Sequence, residues 1–94
     1  MRPVLHGDVV SAARALLAVE PEARESLCRR IFEGAEVADR HAARTGRLHP
    51  FWGNGSLMSA ARRRPLATEP DFDNAEYCEC VMLVLAALLA RPGV

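Results

Sequence analysis

Ninety-four residues, half of them apolar and about a quarter charged, exclude a disordered chain and leave no room for a second core beside the first. Twelve acids balance twelve bases, and a net charge of zero argues against a protein that coats nucleic acid indiscriminately. All twelve bases are Arg; GC-rich codon usage explains this more simply than a need for bidentate carboxylate or phosphate recognition, though the surface is biased toward such recognition either way.

Abundant Ala, with only two Thr and one Tyr, favours helix over sheet. Val9, Val10, Ala12, Ala13, Leu16 and Leu17 fall on one face at helical spacing, which predicts a first helix over 8–19 with Asp8 as its N-cap. Pro21 disfavours a helical Glu20 and suits the first turn of a second helix, 21–45, which Gly46 stops. Glu22 and Glu25 complement the N-terminal dipole of that helix. Its inner stripe runs Leu27, Ile31, Ala35, Ala38 and Ala42, widened by Cys28 and Phe32. The stripe thins to small residues toward the C-terminus, so a close neighbour is expected there. Gly34 costs about 1 kcal/mol relative to Ala and marks either close packing or a weak point.

Pro50, Gly53 and Gly55 break the helical pattern over 47–55, and Asn54-Gly55 is a turn signal. Ser56 then caps a short third helix, 56–64, which Pro65 closes. Asp73 or Asn74 caps the last helix, 74–90. The expected fold is all-α: a compact bundle of about four helices in a single domain, 1–94.

Met1 to Asp8 carries an Arg, a Pro, a Gly and an acid with no apolar stretch behind it, unlike a secretory signal. The longest apolar run, Val81 to Ala90, has ten residues and is too short to span a bilayer. Three cysteines, at 28, 78 and 80, are an odd number and fit reduced thiols in a cytoplasm better than a disulfide framework. Cys78 and Cys80 have the wrong spacing for a zinc knuckle and point about 200° apart on a helix. Ser56 or Ser59 with His49, and Cys28 with His41, lack a nucleophile elbow and a third group to orient a base. The expectation is therefore no enzyme, no cofactor and no metal.

Three features remain. The last helix is apolar on every side from Val81 to Ala90, which makes it either the central helix of the bundle or a contact between subunits through 77–90. Charge is segregated: Arg40, Arg44, Arg47, Arg62, Arg63 and Arg64 occupy 40–64 with no acid among them, whereas 65–90 holds five acids and no base. Such polarity suits an anionic partner, or subunits joined basic edge to acidic edge, or a solvated surface in which the arginines at 62–64 offset a helix dipole. The loop His49-Pro50-Phe51-Trp52-Gly53-Asn54-Gly55-Ser56 reads two ways. It is a recognition loop built on His49, Trp52, Asn54 and Ser56, or a turn in which Phe51 and Trp52 plug the bundle and the glycines take positive φ.

The block Leu48-His-Pro-Phe-Trp-Gly-Asn-Gly-Ser-Leu-Met-Ser-Ala-Ala61 resembles a group of short alphaproteobacterial helical proteins. So do the opening ten residues, Ala38-Asp39-Arg40-His41, and the Tyr77-Cys78-x-Cys80 approach to the last helix. That group is similar to the small-terminase-like protein of gene transfer agents. The resemblance implies a DNA-packaging adaptor that oligomerises, engages DNA and presents it to a large-terminase ATPase. The chain departs from typical small terminases in lacking a separate helix-turn-helix domain and a long coiled coil. DNA contact through the six arginines is thus expected to be weak, phosphate-directed and salt-sensitive. The competing expectation is a protein-only adaptor that uses the 47–56 loop and the acidic last third.

Overall fold

The computed structural model describes residues 1–92. Its elements are α1 (His6–Leu17), α2 (Pro21–Thr45), α3 (Leu57–Ala61) and α4 (Ala75–Leu89), with no strand among the described residues. The all-α bundle expected from the sequence is what forms. The bounds of α2 coincide with those read from Pro21 and Gly46; Gly46 takes φ 70° and donates its N–H to the Ala42 carbonyl at 2.8 Å.

The first helix begins two residues earlier than its apolar spacing implied, and Asp8 is not its N-cap. Leu5 holds that position in extended backbone. Asp8 lies three residues further on and accepts the Leu5 N–H at 2.9 Å. Its other oxygen accepts the Met58 N–H at 2.8 Å, in the first turn of α3. One buried carboxylate thereby satisfies an orphan donor at the start of two helices.

The central helix is α1. Ala13, Ala15 and Leu16 are wholly buried and Ala12 nearly so, and α1 packs against each of the other three. Small side chains permit that close approach on several sides at once. This corrects one of the two placements offered for the last helix. Only one face of α4, carrying Tyr77, Cys80 and Val84, is buried; Met82, Leu85 and Leu89 on the opposite side are exposed.

Ser56 caps α3 as expected, accepting the Ser59 N–H at 3.0 Å. The helix is shorter than 56–64, however. It ends at Ala61 with Arg62 as its C-cap, because Pro65 bars a helical Arg64. Arg63 N–H turns back to the Ala60 carbonyl at 3.3 Å, so Arg63 and Arg64 lie beyond the helix. Asn74 caps α4, its Oδ1 accepting the Tyr77 N–H at 2.9 Å.

Candidate functional site

The 47–56 loop is tied to itself. His49 and Gly53 exchange backbone hydrogen bonds, His49 N–H to Gly53 O at 2.8 Å and Gly53 N–H to His49 O at 3.1 Å. The His49 Nδ1 accepts the N–H groups of both Phe51 and Trp52 at 3.0 Å. Gly53 and Gly55 take φ 87° and 94°, which a residue with a Cβ adopts only under strain. Asn54 Oδ1 accepts the Ser56 N–H at 2.9 Å. Ser59 Oγ donates to the Trp52 carbonyl at 2.7 Å and accepts the Asn54 N–H at 3.1 Å.

The same turn folds the loop back along α2. The Trp52 indole lies on Gly34, where a Cβ would run into the ring. That contact decides between the two readings of Gly34 in favour of close packing. Of the four residues proposed for a recognition loop, His49, Asn54 and Ser56 commit side-chain acceptors to local backbone donors, and Trp52 commits its ring to α2. The apolar residues the loop exposes are Leu48, 67% accessible, and Phe51, 46% accessible; Phe51 is set edge-on to Trp52 at 4.7 Å.

None of the six expected arginines makes an ion pair among the described residues, whereas Arg24, Arg29 and Arg91 pair with Glu76, Glu25 and Glu36. The six do not form one patch. Arg40, Arg44 and Arg47 sit at the C-terminal end of α2 and just past it. Arg63 and Arg64 are carried back to the level of Leu27 and Arg30, roughly 15–20 Å along the helix. There they line a cleft of about 80 Å³ with Arg30 on its rim and Leu27, Ile31, Phe51 and Trp52 as its floor. The Arg63 guanidinium lies over the Phe51 ring, 4.5 Å from its centroid. A second depression of about 170 Å³, against Val19, Ala23 and Ser26, adjoins it and shares Leu27, Arg30 and Arg64.

Arg30 was missed by sequence reasoning because it lies outside the acid-free stretch. The available signal was its place on α2 one turn from both Leu27 and Gly34.

The acidic third presents a counterpart. Phe72 is 63% exposed between Asp71 and Asp73, and its ring stacks on Tyr77 at 5.4 Å and 26°. Asp71 Oδ1 accepts the Asp73 N–H at 3.0 Å, and Cys78 Sγ donates to the Phe72 carbonyl at 3.2 Å. The segment is therefore held in a defined shape.

Burial pushes the Cys28 thiol up to about 11 and raises that of Cys80 as well; both are protonated and weakly nucleophilic near neutrality. Among the described residues no three His, Cys, Asp or Glu side chains gather where they could hold a metal. No described helix is long and apolar enough to cross a membrane. Between α2 and α4 runs a shallow, largely apolar groove of about 310 Å³, lined by Cys28, Arg29, Leu83, Ala86 and Ala87.

Among known proteins, the family model described as a domain of unknown function, DUF7742, matches residues 2–88. No curated protein and no solved structure matches the chain.

Proposed function

We propose that this chain, which belongs to the DUF7742 family, is a cytoplasmic helical adaptor that acts without chemistry. In this reading it self-associates and contacts DNA weakly, as a small-terminase-like packaging protein of gene transfer agents would, and serves a large-terminase ATPase. The observation that carries the reading is the pairing imbalance. Among the described residues only Arg24, Arg29 and Arg91 pair with an acid. Arg2 and Arg14 do not, and neither do Arg30 or the arginines at 40, 44, 47, 62, 63 and 64, which gather along α2 and the turn packed on it. Free guanidiniums spread over roughly 15–20 Å would reach about five phosphates of one strand, given 3.4 Å of rise per phosphate. Self-association draws support from Met82, Leu85 and Leu89, exposed at the 3-4 spacing of a coiled-coil seam.

Retardation of duplex DNA across a salt series tests the reading. Binding should fade steeply, with a log–log slope no steeper than about −5, the bound reached only if all six arginines contact phosphate. Gln in place of Arg40, Arg44 and Arg47 should shallow it. No retardation even at low salt would sink the DNA contact and leave the protein-only adaptor, which the exposed Phe72 and its flanking aspartates favour.

A further inference from the structure

We infer that the cleft between α2 and the Phe51-Trp52 turn is a subunit junction that takes the Asp71-Phe72-Asp73 segment of a second copy of this chain. The inference rests on the self-associating part of the function proposed above and names the two surfaces that meet. Phosphate needs only the cleft's rim, the free guanidiniums of Arg30, Arg63 and Arg64. It does not need the floor. Leu27 and Ile31 are buried at its base, and the Phe51 and Trp52 rings stand accessible beside the three cations, which suits a ligand whose aromatic edge stands between anions.

The chain carries such a ligand on another surface. Phe72 is exposed, aspartate stands on either side of it, and Glu69 lies just upstream. Glu69, Asp71 and Asp73 make no ion pair among the described residues, so three free acids match three free arginines. The Asp71 turn and the Tyr77 stack hold the segment in shape before contact, which lowers the ordering cost of binding. Arg63 already covers Phe51, and a second aromatic ring entering beside it would add a cation–π partner. Because cleft and segment are different surfaces, the contact is heterologous, and repeated copies close into a ring or run on as a filament. Arg40, Arg44, Arg47 and Arg62 stay free for an anionic partner.

Charge exchange tests this with light scattering behind a sizing column. One variant carries Arg63→Glu and Arg64→Glu, a second carries Glu69→Arg and Asp73→Arg, and a third carries all four. Every altered side chain is exposed, Asp71 is left in place because it shapes the turn, and circular dichroism checks that each variant folds. Each two-site variant should lose mass relative to the parent, while the four-site variant, and an equimolar mixture of the first two, should regain it. Parental mass in either two-site variant, a loss that exchange does not restore, or a monomeric parent at high concentration would overturn the junction. DNA retardation is read separately. If it fails while the mass pattern holds, the DNA contact falls and the junction stands; the reverse outcome removes the junction alone.

Discussion

Gly34 lies in the middle of a 25-residue helix, where alanine would ordinarily gain about 1 kcal/mol. Here an added methyl would enter the Trp52 ring. Gly34→Ala should therefore destabilise the domain by about 1–3 kcal/mol, measured by urea unfolding. In a Trp52→Ala background the same change should become neutral or favourable, since the obstacle is gone; simple additivity would mean that the ring does not sit there. From sequence, Gly34 could be recognised as either close packing or weakness. The choice depends on Gly53 and Gly55 turning the loop back, a three-dimensional fact that no local pattern carries. The polar loop residues were ambiguous for a related reason: the acceptors of His49, Asn54 and Ser56 suit recognition and self-capping equally until their donors are known. Cys28 supplies a second residue-level prediction. Burial raises its thiol from 9.0 to about 11, so folding favours the neutral form. Its contribution is complete below pH 9 and is lost as pH rises toward 11, at most about 2–3 kcal/mol. Tyr77 and Cys80 are raised by burial too and slope the same way. Cys28→Ala should thus flatten the alkaline decline in unfolding free energy without abolishing it.

Among the elements, α2 was the most legible because both of its ends are written locally, in Pro21 and Gly46. The start of α1 was not, since Asp8 acts across the fold on Met58 as well as on its own first turn. Asp8→Ala leaves both the Leu5 and Met58 N–H groups without their acceptor and should cost about 2–4 kcal/mol. Asn at the same place keeps one accepting oxygen and should cost roughly half of that. Equal losses for the two substitutions would mean that the carboxylate's charge matters more than its two-way geometry. The last helix was legible as a helix and illegible as to its buried side. A segment apolar all round has no polar face to point outward. Which face is buried was settled by α1, whose alanines take the central position and leave Met82, Leu85 and Leu89 uncovered.

At the scale of the whole molecule, helical content and single-core size followed from composition and length, but the arginine patch did not. Sequence adjacency placed six cations together; the returning loop divides them and adds Arg30 to one group. That division gives the molecule two proposed association surfaces of opposite physics. The cleft junction is ionic at its rim, and salt shortens the screening length from about 10 Å at 0.1 M to about 3 Å at 1 M. The α4 seam is apolar and is not weakened by screening. Native mass should accordingly fall as salt rises and then stop at a species held by α4 alone. Met82→Glu with Leu85→Glu should remove that stopping point, so that the doubly substituted protein goes to monomer in high salt while its helical signal is unchanged. A mass indifferent to salt in the parent would place the whole assembly on α4 and return Arg30, Arg63 and Arg64 to the DNA-facing set. A mass that falls straight to monomer in the parent would instead leave the exposed leucines of α4 for a different chain.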